Sequence, residues 1–273
     1  MTTMQRMIKY CAMAFAVFLS ISILSGILGA LGMLFGVFGG DAAGERKSYK
    51  VSGEIESLDV EISAAELKIV TGDCFSVESN HKYLTVMEEK GVLIVSEKRS
   101  NFGVSSGDVA VVMTIPEKYV FEGALISAGA GKVSIDTLSA KELTLELGAG
   151  ATEIGTLEVK NHSSVSSGTG KLTIRDGELH DLSMEMGVGK LEFTGRMTGN
   201  CDVDFGIGGA ELTLLGSRDE YQIELDKGIG EVTLNGKDMS DGGVYGTGEN
   251  RIDIDGGVGS IRIQLESNLG SAE

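Results

Sequence analysis

A short glycine motif recurs through the second half of the chain, and it restricts the fold more than any other feature. In each copy two glycines flank a single residue, and an alternating apolar run usually follows, as in "GVGKLEF" at 187–193. The glycine pairs are Gly129/Gly131, Gly148/Gly150, Gly168/Gly170, Gly187/Gly189, Gly206/Gly208, Gly228/Gly230 and Gly257/Gly259. The first five pairs recur at a nearly constant step, and the last two steps are longer. A recurring step of about 20 residues indicates a repeat protein built from stacked units.

Apolar and polar residues alternate on both sides of each glycine pair. Leu143 and Leu145 precede the second pair, and Leu172 and Ile174 follow the third. Alternation with a period of two indicates half-buried strands, and units of this size bury their apolar faces only by stacking. The sequence therefore predicts an all-β fold, a parallel β-solenoid of about seven coils at 120–273. Each coil is expected to contain a strand, a glycine corner, a second strand and a return turn.

The glycine pairs could in principle hold a ligand or could simply turn the chain. A phosphate-binding loop opens a helix and places Lys before Ser or Thr, but here the glycines open a strand, and lysine is absent from "GIGEVTL" and "GVGSIRI". Calcium-binding repeats place Asp after the glycines at a period of nine, whereas this chain has Lys, Ala, Glu or Ser at a period near twenty. Glycine permits a positive φ and a close approach of two backbones, so the pairs are predicted to be corners.

The remainder of the body, at 47–119, lacks the short period and is predicted to form an irregular β amino-terminal cap of a body at 47–273. Two stretches interrupt the pattern, "SNFGVSSG" at 100–107 and "NGKDMSDGGVYGTGEN" at 235–250. Exposed loops on rigid scaffolds often carry binding, and insertions in repeats tend to lie on one exposed face. Phe102, Met239 and Tyr245 are therefore the predicted partner contacts.

The amino-terminal segment 1–46 is predicted to be a transmembrane signal-anchor followed by a short tether. No charged residue lies between Tyr10 and Gly40. This run exceeds the roughly 20 residues that a membrane helix needs and the roughly 7–15 apolar residues of a cleaved signal peptide. We expect a single-pass protein of the cell membrane with its body outside the cytoplasm. Gly32 and Gly36, with Gly40, recur every four residues, a spacing that allows a homodimer through the helix and is also common in monomeric membrane helices.

Charge and motif content limit the chemistry that the chain can perform. Its formal net charge is −17, with 40 acidic and 23 basic residues, so binding to nucleic acid is disfavoured. Cys74 and Cys201 belong to no motif and are expected to be buried, inert thiols, although a disulfide between them is left open. Asp253 and Asp255 share a strand face and could contribute to a cation site, but one strand alone supplies them and a solvated face is favoured. No catalytic residue, cofactor site or metal site is predicted.

The segments "LIVSEK", "VMTIP", "GAGKVSI" and "GTGKLTI" together resemble the bacterial "putative adhesin" domain of unknown function, also called the toast-rack domain. The resemblance extends from about residue 50 to the end of the chain. It implies a protein of the cell envelope, without agreed catalytic residues to carry over, and some members are associated with envelope stress signalling.

From these features we expect a non-catalytic binding or scaffold module that takes part in envelope stress sensing through a partner membrane protein. Adhesin-like binding of a cell-surface polymer is the first alternative. An envelope hydrolase is the second, and it would need carboxylates that converge from neighbouring coils, of which the sequence gives no sign. Because the body is acidic, the partner surface is expected to be basic or bridged by cations.

Overall fold

Every regular element in the computed structural model, which describes residues 43–97 and 109–267, is a β-strand. The strands are β1 (Ala43–Lys50), β2 (Ser57–Ile62), β3 (Glu66–Gly72), β4 (Ser76–His81), β5 (Leu84–Glu89), β6 (Val92–Glu97), β7 (Ala110–Pro116), β8 (Val120–His180), β9 (Leu182–Thr198), β10 (Asn200–Leu215), β11 (Tyr221–Asp226), β12 (Ile229–Leu234), β13 (Lys237–Asp238), β14 (Gly243–Gly246) and β15 (Asn250–Glu266). They form one hydrogen-bonded sheet.

The glycine-cornered units stack in parallel and in register, as the repeat predicts. Gly189 pairs with Gly170 on one side and with Gly208 on the other, and Gly208 pairs in turn with Gly259. β8 is long because the chain stays extended through several corners and makes successive coils without a break. The predicted parallel β-solenoid is confirmed for this part of the chain.

Each regular coil supplies three inward-facing runs rather than the two strands and return turn expected from the sequence. Val133 and Ile135 form one buried run, Leu138 and Ala140 form the next, and the third contains Leu143 with Leu145. The segment expected to be a return turn is therefore extended, and it has its own ladder, in which Leu179 pairs with Met197. All three runs contribute to a single hydrophobic core.

The corner glycines are required by the close stacking of one corner on the next. Gly189 has a φ of 155°, a region that residues with side chains rarely adopt. A Cβ at this position would collide with the carbonyl oxygen of Gly170 in the neighbouring coil. Because the corner glycines are also paired in the ladder, their backbone groups take part in the contacts between neighbouring coils. The assignment of the glycines as corners is confirmed.

At the carboxyl-terminal end the coils do not stack in sequence order. β15 pairs with β10 on one side and with both β11 and β12 on the other, so it is inserted between coils that precede it in the chain. The stretch at 235–250 contributes β13 and β14, which pair antiparallel with β12 and β11. The insertion therefore covers the outer edge of the last coil. This arrangement explains why the last two steps of the glycine repeat are longer than the others.

The amino-terminal end contains a stacked coil of the same plan and is therefore more regular than the sequence predicts, with antiparallel strands only at its outer side. β2 and β3 form a coil that pairs with β8 on one side and with β6 and β7 on the other. β5 pairs antiparallel with β6, β4 pairs antiparallel with β7, and β1 lies outside β4. Residues 43–46, which the sequence assigned to the tether, are thus part of the sheet as the start of β1.

The first of these coils escaped the sequence pattern because its corner contains Ser63, Ala64 and Ala65 in place of a glycine pair. The corner glycines elsewhere are packed against the carbonyl oxygens of the preceding coil, and Gly131 lies over Ala65 in this way. Below the Ser63–Ala65 corner, the carboxylate of Glu97 instead accepts hydrogen bonds from the N–H groups of Ser63 (3.0 Å) and Ala64 (3.5 Å). The Glu97 side chain lies where the corner of a preceding coil lies elsewhere in the stack. This corner therefore does not require glycine, and small residues are sufficient.

The predicted anchor, including Gly32, Gly36 and Gly40, lies outside the described residues. Within the described ranges 43–97 and 109–267, no helix is long and apolar enough to cross a membrane.

Candidate binding surface

The outward face of four neighbouring coils carries a concentration of carboxylates. In β10 the side chains of Cys201 and Val203 are buried, so the alternating Asp202 and Asp204 are exposed. The same alternation exposes Asp253 and Asp255 of β15. Because β15 lies beside β10, its carboxylates stand next to those of β10. The strand pairing therefore converts separate acidic strands into a continuous surface.

The register places these carboxylates in two rows that cross the coils. In the first row Asp253 pairs with Asp202 on one side and with Glu224 on the other. The second row runs across β9, β10, β15 and β11 and contains Glu185, Asp204, Asp255 and Asp226. Neighbouring members of a row are about 4.8 Å apart along the stack, the spacing of paired strands. These seven carboxylates are called the acidic face below.

The acidic face is electrostatically strained. The pKa values of Asp204, Asp253 and Asp255 are raised, first because partial burial disfavours the charged form and next because of neighbouring carboxylates. The side chains of Asp204 and Asp255 are near enough for a hydrogen bond between them when one of the two carboxyl groups is protonated. Among the described residues, none of the seven carboxylates forms an ion pair. Arg251 lies beyond the first row, and its neighbours in the strand ladder are Asn200 and Gln222.

The opposite flank of the same corners is different, because most of its charges are paired within the molecule, Glu231 being an exception. Lys171 Nζ lies 2.7 Å from Glu192, and Lys190 Nζ lies 2.9 Å from Glu192 and 3.1 Å from Glu211. Arg262 extends this ladder at 3.8 Å from Glu211. Hydrogen bonds from Lys171 and Lys190 lower the pKa of Glu192 to about 2. The excess negative charge of these coils is thus concentrated on the acidic face.

The sequence alone did not predict this convergence. Asp253 and Asp255 are exposed, in line with the solvated face expected from the sequence, but the premise that one strand alone supplies the carboxylates is wrong because β15 lies between β10 and β11. A signal was nevertheless present: an acidic residue stands two positions before the first glycine at Glu185, Asp204, Asp226 and Asp255.

The geometry of the acidic face suits contact with an extended cationic surface. All seven carboxylates are exposed on a sheet face. No group of three or more His, Cys, Asp or Glu side chains within 43–97 and 109–267 is arranged to hold a metal ion. The adjacent corner cavity, lined by Phe205, Gly208, Lys227 and Val258, has a volume of about 10 Å³, which is enough for one water molecule.

Of the three residues predicted to contact a partner, the two that the structure describes both pack against the core. Met239 is 2% exposed and belongs to the core, so the prediction that it contacts a partner is wrong. Its burial follows from the role of 235–250, which covers the last coil. Tyr245 packs against the core, and its hydroxyl accepts a hydrogen bond from the N–H of Ser240 at 2.7 Å. Phe102 lies outside the described residues.

The two cysteines of the body are unpaired and differ in their surroundings. Cys201 is buried, and burial raises the pKa of its thiol to about 11, so the expectation of an inert thiol is confirmed there. Cys74 is exposed and free, so the expectation of burial is wrong for that residue. The disulfide that the sequence left open is absent.

Several solved structures are similar to this chain at low identity. A "putative adhesin" of Bacteroides fragilis is 15% identical, with a TM-score of 0.43, over 80% of this chain and 96% of that chain. A "putative cell adhesion protein" of Clostridium sporogenes is 16% identical, with a TM-score of 0.33, over 81% and 99% of the two chains. A "putative lipid binding protein" of Parabacteroides distasonis is 12% identical, with a TM-score of 0.32, over 84% and 98%.

Comparison with curated proteins gives no match. The family model described as Toastrack DUF4097 matches residues 50–264. This range begins at the end of β1 and ends within β15, so it spans the whole stack of coils. The chain therefore belongs to the Toastrack DUF4097 family.

Proposed function

We propose that this protein is a non-catalytic binding module of the cell envelope and that its acidic face contacts a cationic partner. One observation carries the proposal: seven exposed carboxylates from four stacked coils have no ion-pair partner among the described residues, while most charges on the opposite flank are paired. Like charges placed opposite each other in a sheet are destabilising. A cationic partner would remove that repulsion, and complementary charge also favours specific association.

The fold supports recognition better than chemistry. Each coil is hydrogen-bonded to its neighbours in register, so the carboxylates are presented on a fixed surface. The hydrolase alternative would use the neighbouring carboxyl groups of Asp204 and Asp255, whose raised pKa values suit proton transfer. This alternative is less well supported because the pair stands on an exposed sheet face, whereas catalysis usually requires a concave site that excludes water.

The partner we favour is a membrane protein in the same bilayer, with the module acting in envelope stress sensing. The uncharged run ends at Gly40, and β1 begins at Ala43. Three residues of extended chain span only about 10 Å. A body with so short a tether would reach a neighbour in the same membrane more readily than a distant surface. An adhesin-like role toward a cell-surface polymer is the alternative.

Site-specific photo-crosslinking in native membranes tests this function. The crosslinking residue replaces Asp202 on the acidic face and, as a control, the exposed Glu142 of β8. We expect a membrane protein to be crosslinked from the first position and not from the second. If no protein is captured and the body instead adheres to purified wall polymer, the signalling role is wrong and the adhesin role stands. Hydrolysis of that polymer, lost in Asp204→Asn, would contradict the non-catalytic assignment.

A further inference from the structure

A row of exposed aliphatic side chains runs along the corners of the same four coils. The middle residue of each glycine pair projects from the corner, and the ladder aligns Val188, Ile207, Val258 and Ile229 in that order. Their exposed fractions are 40%, 44%, 48% and 73%. At about 4.8 Å per coil, the four side chains form a stripe about 14 Å long. This stripe is called the corner ridge.

The ridge is confined to the coils that carry the acidic face. At the corresponding position the earlier glycine corners have Ala130, Ala149 and Thr169, which are smaller or polar. Branched aliphatic side chains left in water lose the stabilisation that burial would give. Four aligned residues of this kind on one corner form an apolar patch, and such patches next to polar residues often mark interaction sites.

Along its acidic side the ridge is bordered mainly by carboxylates, and the exception is Lys227, which stands between Asp226 and Ile229. The second row of carboxylates, Glu185, Asp204, Asp255 and Asp226, stands three residues before each ridge residue and runs parallel to it. On the other side of the ridge, Lys190 is held in ion pairs with Glu192 and Glu211. The surface therefore pairs an aliphatic stripe with a parallel row of unpaired negative charges.

We propose that the corner ridge and the second acidic row bind a basic amphipathic α-helix of a partner protein that lies along the stack. This inference rests on the proposed function and names the kind of segment that the acidic face recognises. A helix presents one residue of a given face every turn, or about 5.4 Å, which is close to the spacing of about 4.8 Å between coils. Leucines on one face can then lie on the ridge while neighbouring lysines or arginines meet the carboxylates.

Other occupants fit the surface less well. An anionic lipid surface would be repelled by the row of carboxylates. A second copy of the chain would bring another carboxylate row without a row of unpaired cations to meet it, because Lys171 and Lys190 are already paired. Strand addition at this end of the stack is blocked, because β13 and β14 already cover β12 and β11.

Binding of a synthetic helix to the full-length chain tests the inference. The chain is held in phosphatidylcholine nanodiscs, and the probe is a fluorescent peptide with a leucine face flanked by lysines. We expect Ile207→Ser/Ile229→Ser to weaken the measured affinity about tenfold through lost apolar contact. We expect Asp204→Asn/Asp255→Asn to weaken it by a similar factor and to reduce its salt dependence. Leu125→Ser and Glu142→Gln, both at exposed positions of β8, serve as controls and should bind like the parent protein.

A peptide of the same composition but scrambled, without an apolar face, separates this inference from the proposed function. If the scrambled peptide binds equally well, or if only the Asn variants lose affinity, charge alone governs binding; the inference then fails while the proposed function stands. If all variants bind the helix equally, the inference also fails. A dimer that dissociates in Ile207→Ser/Ile229→Ser, measured by sedimentation, would make a second copy the occupant and overturn it. Unchanged crosslinking in the Asn variants would instead count against the proposed function.

Discussion

At the scale of single residues, the corner glycines show how tightly backbone stacking restricts the sequence. Gly189→Ala should destabilise the body by about 3 kcal/mol or more, because the residue has a positive φ and its Cβ would collide with the carbonyl oxygen of Gly170. Gly123→Ala is the matched control, since the nearest atom to its Cβ, Ser57 Oγ, is 3.8 Å away. Urea denaturation of the two variants measures the difference. Equal stabilities would contradict the assignment of Gly189 as a stacked corner.

The carboxylates of the acidic face make the stability of the protein depend on pH. The pKa of Asp255 is raised by partial burial and then by Asp204 and Asp226, so its ionisation disfavours the folded state. For a raised carboxyl pKa, the relative stabilisation is present at low pH and is lost as the pH rises through the folded pKa. Asp255→Asn should therefore stabilise the protein at pH 7, by a few tenths of a kcal/mol, and the gain should fade in acid.

Glu192 is the control for Asp255, because its pKa is shifted in the opposite direction. Its pKa is lowered to about 2 by Lys171 and Lys190, so its contribution to stability is present above the unfolded pKa and is lost as the pH falls toward the folded value. Glu192→Gln should destabilise the protein at pH 7 by roughly 0.5 kcal/mol, a small value because the pair is partly solvent-exposed. The thermal stability of both variants is measured at a series of pH values from pH 7 to acidic pH. A destabilising Asp255→Asn at pH 7 would mean that the acidic face is not strained.

At the scale of elements, the sequence predicts the coils better than it predicts their neighbours. The glycine pairs and the alternation around them correctly give the corners and two of the three inward-facing runs of each regular coil, while the third run was expected to be a turn. The spacing between glycine pairs, however, indicates the length of a coil and does not indicate which coil lies beside it. The insertion of β15 between β10 and β11 could therefore not be deduced. The coil of β2 and β3 was missed because Glu97 supports its corner in place of glycine packing.

The candidate surface illustrates the same limit. The acidic position before each glycine pair can be seen in the sequence, but its meaning depends on which coils are adjacent. Met239 was expected to be exposed because it lies in an insertion, yet an insertion that covers the end of a stack must bury some of its own residues. Exposed strand edges invite unwanted pairing, so both ends of this solenoid are covered by antiparallel strands.

The covering role of the 235–250 stretch can be tested at Met239. Met239→Ala should destabilise the body by about 2–4 kcal/mol, because truncation leaves a cavity beneath the last coil. Val244→Ser, at a residue of the same stretch that is 54% exposed, should have little effect. Denaturant titration of both variants provides the comparison. If Met239→Ala is neutral and abolishes partner crosslinking, Met239 is a contact residue after all.

At the scale of the whole molecule, the order of the coils sets the neighbours on the surface on which the functional proposals rest. Sequential stacking would place β12 beside β10 and leave β15 at the end, so Asp253 would no longer stand between Asp202 and Glu224. The coil order also leaves the corner ridge unbroken across Val188, Ile207, Val258 and Ile229. The coil order thus sets which residues are neighbours within the acidic face and within the ridge.

Disulfide trapping tests this coil order most directly. In a background with Cys11 and Cys74 replaced by Ser, one variant carries Glu211→Cys with Arg262→Cys, and the other carries Glu211→Cys with Thr233→Cys. Arg262 pairs with Glu211 on one side and with Thr233 on the other, so Glu211 and Thr233 are two coil spacings apart, about 9.6 Å. A disulfide requires Cα atoms within about 7 Å. Mass spectrometry after mild oxidation should find the bond in the first variant and free thiols in the second; a bond between residues 211 and 233, with none between 211 and 262, would contradict the structure.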